Sequence, residues 1–227
     1  MDAIECIYNR RSCRKFLQKA LEFDKVMMCI EAGTKAPSAG NIQDYRFILV
    51  SNKEKIYQIA EHCIEQYWIQ EAPVLIVVVA DTDLSEEFFG LRGQRLYAIQ
   101  NAAAATQNIL LAAHALGLGA CWVGSFDEEY LQDALGMPDT ARPQAIIALG
   151  YAAEEPKPRE QKPLRMLVSF NAYGASIKNM NILLNEYNKE IERLFKETEK
   201  KGKKGFEKIK EHAKKFYEKT KQDLKNK

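Results

Sequence analysis

The run Pro73-Val74-Leu75-Ile76-Val77-Val78-Val79-Ala80 constrains this chain more than any other stretch. It is apolar, rich in β-branched residues and without alternation, so it predicts a strand buried on both faces. A sheet built around such a strand needs helices on each side. The strongest helix is predicted from about Arg92 to Leu116, where Ala102–Ala105 would let neighbouring elements approach closely. It should be the central, buried helix, ended by Gly117 and Gly119.

The remaining elements follow from spacing and punctuation. Asp2 through Asn9 places Ile4 and Ile7-Tyr8 at helical intervals. Asp24 is positioned to cap a second helix through Met27, Met28 and Ala32, which should stop near Pro37 because proline disfavours helix in the residue before it. Residues 45–50 read as a strand, and a helix follows from about Lys53 to Gln66. Ala120–Ser125 reads as a third strand, Asp127 opens a helix to Leu135, and Pro143–Tyr151 supplies a fourth strand. Residues 152–175, with prolines at 156, 158 and 163, should be irregular. Periodicity alone describes an alternating α/β sandwich.

A net charge of +2 conceals an asymmetry. From Glu186 to Lys227 there are 15 Lys and Arg against 9 Asp and Glu, which leaves 18 against 22 upstream. An acidic core with a basic tail argues against a nucleic-acid-binding enzyme core. In the tail, Phe206, Ile209, Ala213, Phe216 and Thr220 form one apolar stripe among lysines, with Gly202 and Gly205 as breaks. Cys6, Cys13, Cys29, Cys63 and Cys121 show no paired spacing, and the three histidines are far apart, so no metal site is expected. Free thiols, an N-terminus without a signal-peptide pattern and an apolar run too short to span a bilayer point to a soluble, cytoplasmic protein.

Four motifs remain. Arg10-Arg11-Ser12-Cys13-Arg14-Lys15-Phe16 concentrates cationic donors suited to an anion. Ala36-Pro37-Ser38-Ala39-Gly40-Asn41-Ile42-Gln43 is a turn rich in residues that favour turns. Gly117-Leu118-Gly119-Ala120-Cys121-Trp122-Val123-Gly124-Ser125-Phe126-Asp127 ends a strand with glycine, and Gly150-Tyr151 precedes Glu154-Glu155-Pro156-Lys157-Pro158-Arg159. In this order, over roughly residues 1–175, they resemble the FMN-dependent nitroreductase family.

The resemblance implies an α+β fold. Its three-layer sandwich has a central mixed, mostly antiparallel sheet, helices on both faces and an intertwined homodimer. It divides the chain into an FMN-binding domain, 1–175, and a basic, amphipathic helical extension, 176–227, expected to pack on the partner subunit. Arg10 and Ser12 would serve the phosphate and ribityl end, with Arg11 a further cofactor-binding candidate beside them. Arg14 would approach the N1/O2 ring edge, where a cation favours the reduced state. Pro37, Ser38, Ala39 and Asn41 would wrap the cofactor of the partner subunit, with Gln43 shoring up the loop. Ala39 stands where some relatives have a second serine.

Gln66 is a candidate for the pyrimidine edge, although an exposed helix-end glutamine fits the same spacing. Val123, Gly124 and Ser125 would present backbone N–H groups toward N5/O4, since glycine leaves the approach open. Arg159, with Lys162 as helper beside Gln161, would meet the phosphate, and Lys157 could compensate. Lys15 reads as surface and Cys121 as core.

No Gly-x-Gly-x-x-Gly follows a strand, so NADH or NADPH would enter and leave a shared pocket. No Ser/His/Asp or paired-carboxylate set is present, which suits chemistry carried by the cofactor. The expected activity is hydride transfer from NAD(P)H through flavin N5 to a nitroaromatic, quinone or activated alkene, by a ping-pong mechanism. The alternatives are reductive dehalogenation, oxygen-dependent flavin cleavage, or a flavin-carrying binding protein with a docking tail. The segment around Asp83–Arg95, where relatives place a lid, carries no recognisable substrate signature.

Overall fold

The computed structural model describes residues 2–64, 66–157, 160–169 and 172–174, together with Lys189 and Arg193. The chain divides into two compact units, residues 1–159 and 160–227. In the first, strands β1 (Tyr45–Val50), β2 (Val74–Asp81), β3 (Gly119–Val123) and β4 (Ala141–Gly150) form a sheet in the order β1-β2-β4-β3. All three strand pairs are antiparallel.

The run that reads as doubly buried becomes β2, flanked by β1 and β4. Its side chains alternate between two cores. Leu75, Val77 and Val79 pack with Ile56 and Ile59 of α3 (Lys53–Glu61) and Leu131 of α6 (Glu128–Leu135). Ile76, Val78 and Ala80 pack with Val26 and Cys29 of α2 (Phe23–Thr34) and Ala102, Ile109 and Ala113 of α5 (Ala98–Ala115). Each large aliphatic side chain so buried contributes ~1.5–3 kcal/mol. The result is helix, sheet, helix: a three-layer sandwich.

A short α1 (Ala3–Asn9) precedes an extended segment that runs along the outer edge of β3. Ser12 and Ala120 form a parallel bridge, and Phe16 and Ala152 an antiparallel one. The mixed, mostly antiparallel α+β sandwich implied by the family resemblance is therefore the architecture, and the alternating α/β reading is not. An apolar run reports burial and is silent on the direction of its neighbours.

Three helix boundaries and one additional helix differ from expectation. The helix predicted to reach Gln66 stops at Glu61, because the chain turns at Ile64 (φ 35) and resumes as a short 3-10 turn over Tyr67–Glu71. Asp24 lies inside the first turn of α2, whose cap position is Glu22. The helix expected from Arg92 starts at Ala98, after a π turn over Gly93–Tyr97. Before it lies a helix the sequence reading did not find, α4 (Thr82–Arg92), broken at Gly90 (φ 59, ψ −156). At Asp127 the reading holds, since its carboxylate accepts from the Tyr130 N–H at 3.0 Å.

The second unit contains a 3-10 turn at Leu164–Met166. The helical tail expected from residue 176 lies outside the described residues, Lys189 and Arg193 excepted. Among the described residues no helix is long and apolar enough to cross a membrane.

Candidate functional site

α1 is closed at its start by reciprocal bonds between Asp2 and Glu5 and at its end by a turn to extended backbone at Arg10. The Cys6 thiol donates to the Leu111 carbonyl at 3.2 Å, which pins α1 to α5. Beyond Arg10 the chain is held to β3 by the Cys13 N–H, which donates to the Ala120 carbonyl at 3.0 Å. Gly119 permits this approach, since a Cβ there would sit 2.7 Å from the Cys13 Sγ. Cys13 and Phe16 are buried, whereas Arg10, Arg11 and Ser12 are half-buried and Arg14 is exposed.

The polar residues of this segment differ in employment. Arg11 donates to the carbonyls of Tyr8 and Arg10, so it closes the end of α1. Arg14 lies over the ring of Trp68, its guanidinium carbon 5.7 Å from the centroid, within cation–π range. Trp68 belongs to the Tyr67–Glu71 turn, and Gln66 at the head of that turn donates through Nε2 to the Ser125 carbonyl at 3.3 Å. Arg14, Trp68, Gln66 and Ser125 are thus joined around the C-terminal end of β3. Gly124 and Ser125 are exposed there, Val123 is buried beneath them, and Trp122 is exposed. Lys15 pairs with Glu154 at 2.9 Å on the surface, as the sequence suggests.

Below the basic segment, His114 of α5 has a buried Nε2 with no hydrogen-bond partner. Burial first, and then the positive charges of Arg10 and Arg11, lower its pKa below the usual histidine value. The imidazole stays neutral and adds no competing charge beside the arginines. The thiols are inert: burial raises those of Cys6 and Cys13, pushes Cys29 up to about 11 and pushes Cys63 up to about 12. Cys121 is buried, as its core reading requires.

The loop Pro37–Gln43 forms a second group. Gly40, Asn41 and Gln43 take φ values of 57, 57 and 51, a left-handed stretch that non-glycine residues seldom adopt. Ser38 Oγ accepts the Gln43 N–H at 3.0 Å, and Gln43 Nε2 donates to the Asn41 carbonyl at 3.3 Å. Gln43 therefore shores up the loop. The Ala39 N–H donates to Asn101 Oδ1 at 3.0 Å, which fixes the loop to α5.

The two groups are anchored at different points along α5. The basic segment is anchored through α1 at Leu111 and the loop at Asn101, and ten residues of helix rise ~15 Å. Arg159 lies outside the described residues; Lys157 is exposed in the first unit, and Gln161 and Lys162 are exposed in the second. Trp68, Asp44, Ser85 and Asn101 escaped the sequence reading. The available signal was a polar Asn101 immediately before the Ala102–Ala105 run, on the buried face of α5.

The donor set suits an anionic, planar, polyhydroxylated ligand: guanidinium groups at Arg10 and Arg14, a hydroxyl at Ser12, and an exposed glycine turn after β3. Known proteins agree with that chemistry. A family model described as the Nitroreductase family matches residues 7–70 and 64–151. A protein of Methanothermobacter thermautotrophicus named NADH dehydrogenase/NAD(P)H nitroreductase is 35% identical over 164 residues, 70% of this chain and 82% of the relative. The FMN reductase (NADPH) of Bacillus subtilis is 24% identical over 86% of this chain and 84% of its own. The solved FMN-dependent nitroreductase of Clostridium difficile is 28% identical, with a TM-score of 0.65, over 75% of this chain and 99% of that one.

Proposed function

The chain belongs to the nitroreductase family and is an NAD(P)H-dependent FMN oxidoreductase; from that premise we propose that it reduces an electron-poor acceptor by a ping-pong mechanism. The acceptor class is a nitroaromatic, quinone or activated alkene. The observation that carries this reading is the joining of Arg14, Trp68, Gln66 and Ser125 around the end of β3, beside the basic segment.

When bound, FMN would supply the hydride-transfer chemistry. The chain's own residues hold and tune. Arg10 and Ser12 would take the phosphate and ribityl end, with Arg159 and Lys162 as further cations. Arg14 would place its guanidinium at the N1/O2 edge, steadied by Trp68. The Gly124–Ser125 backbone would donate toward N5/O4. Gln66, with Nε2 committed to the Ser125 carbonyl, keeps Oε1 to accept from the pyrimidine edge. Arg11 would act indirectly, by closing α1. No side chain need deliver a proton, since water can.

The loop Pro37–Gln43 would reach the cofactor of the partner subunit. The ~15 Å of α5 between the two groups supports a site completed by a second copy. So do the exposed Ile4, Ile7 and Tyr8 of α1 and Phe23, Met27 and Met28 of α2, an apolar surface suited to a homodimer interface. The extension 176–227 would pack on the partner, and the assembled protein would be cytoplasmic.

Purified protein should show a flavin absorption band at one FMN per subunit, bleached by NADH or NADPH and restored by the acceptor. The chain has two tryptophans, and Trp68 and Trp122 both flank the proposed ring position. FMN added to apoprotein should therefore quench most of their emission. A colourless protein that gains no flavin band with added FMN would end this reading.

A further inference from the structure

Asp44 is wholly buried and has no part in the mechanism above. One carboxylate oxygen accepts from the Ser85 hydroxyl of α4, and the other accepts from Asn101 Nδ2 at 2.8 Å. Ser85 is equally buried and Asn101 is 5% exposed. The second amide atom of Asn101 receives the Ala39 N–H of the loop, and the Asp44 carbonyl receives the Asp81 N–H at 2.6 Å. Asp44 therefore joins α4 and α5 through its side chain and the end of β2 through its backbone, and Asn101 extends the connection to the loop.

We infer that Asp44, with Ser85 and Asn101, is a positioning clamp that holds the FMN-contacting loop in its binding conformation and ties that loop to α4. This rests on the reading of the loop as part of the FMN site.

Two features separate a clamp from ordinary core polarity. Among the described residues the partners of Asp44 are a hydroxyl and an amide, not a cation. A buried carboxylate without a counter-ion is a poor device for stability alone, because apolar side chains of similar volume would serve the core at least as well. What its carboxyl group does supply is two directional bonds in a low dielectric, one to each of two helices. The second feature is what those bonds hold. Asn41 and Gln43 sit at positive φ, and such backbone persists only where the surroundings over-determine it.

The loop meets α4 again at Gly40, where a Cβ would approach the Phe89 ring to 2.9 Å, and Phe89 stacks edge-on against Tyr97 at 5.3 Å. The loop thus arrives at the cofactor already formed, and α4 arrives with it. Preorganisation of this kind lowers the ordering cost of binding.

The test uses the full chain stripped of FMN, with Ser85→Ala, Asn101→Ala and a control, Ile59→Val, in the opposite core. Three quantities are measured: the melting temperature, FMN affinity by titration, and hydrogen exchange at the Ala39 amide. Both clamp variants should bind FMN about tenfold more weakly or worse, as loss of a preorganised loop requires, while the control stays within about twofold at a comparable melting temperature. Exchange at Ala39 should accelerate by about tenfold in Asn101→Ala and stay unchanged in the control. Should Asn101→Ala fail to fold, Ser85→Ala carries the affinity comparison and the exchange readout. Wild-type apoprotein that takes up no FMN removes the functional reading and this inference with it. Wild type that binds beside clamp variants that bind equally, or that keep Ala39 protected, overturns the clamp and leaves the functional reading standing.

Discussion

The contact between Arg14 and Trp68 decides what substitution at position 14 should do. Arg14 is exposed and its guanidinium is held on a ring, so its charge is aimed while its loss leaves the core intact. If it faces the ring edge where negative charge gathers on reduction, it stabilises one redox state over the other. Loss of one charge-assisted bond, ~1.5–3 kcal/mol, corresponds to ~30–60 mV for a two-electron couple. Arg14→Gln should therefore lower the midpoint potential by about that amount with little change in FMN affinity. Trp68→Ala should shift it in the same direction by less. A potential equal to wild type in both variants would place Arg14 away from the flavin.

A second residue-scale prediction concerns acid. Glu22 accepts the Tyr151 hydroxyl at 2.6 Å, and Lys25 donates to the same hydroxyl at 2.7 Å. The tyrosine hydrogen bond, more than Lys25, holds the Glu22 carboxyl down at about 2 against an ordinary 4.5. The unfolded chain takes up a proton below 4.5 that the folded chain refuses, so this contribution is present above 4.5 and is lost as pH falls toward 2. Tyr151→Phe should return the Glu22 carboxyl toward its ordinary range in an NMR titration. An unmoved titration would mean that another group sets it. Arg10, Ser12 and Asn41 could be proposed from motifs because their neighbours in sequence carry the pattern. Asp44, Ser85 and Asn101 could not, because their bonds join residues 41 and 57 positions apart.

Among elements, legibility followed burial. β2 is legible nearly residue for residue because a strand buried on both faces announces itself by composition, and the less buried β1 is legible by its run of strand-forming residues, Phe47-Ile48-Leu49-Val50. α6 was found through its Asp127 cap. α4 was missed although Asp81 caps it, accepting from the Leu84 N–H at 3.2 Å. Only Ser85 of α4 is fully buried, so no apolar period marks it. What fixes α4 is backbone contact: a Cβ at Gly93 would lie 2.0 Å from the Ser85 carbonyl oxygen, and neither backbone can yield without moving the helix. Gly93→Ala should cost ~1–3 kcal/mol or more, as overpacking does. The melting temperature should drop by roughly 2–4 °C per kcal/mol. Gly136→Ala makes the control, since a Cβ there meets nothing within 4 Å and pays only for φ 63. Equal melts for the two variants would show that α4 is not seated as described.

For the whole molecule, the deciding question is whether one site draws on two chains. The basic segment and the Pro37–Gln43 loop are anchored ~15 Å apart along α5, and a second copy would bring Arg10 of one chain to Asn41 of the other. Arg10→Ala alone should weaken FMN binding by ~1.5–3 kcal/mol, through loss of one charge-assisted phosphate contact. Asn41→Ala should weaken the same site from the opposite side. In a heterodimer of these two chains, one pocket carries both lesions and the other carries neither. Co-expressed chains, isolated as the heterodimer through distinct tags, should bind up to one FMN with wild-type affinity and regain up to half the wild-type turnover per dimer, while each parent homodimer stays impaired. Folding and dimerisation of both parents, checked by melting and by mass in solution, make the comparison fair. Heterodimers no better than their parents would confine the site to a single chain.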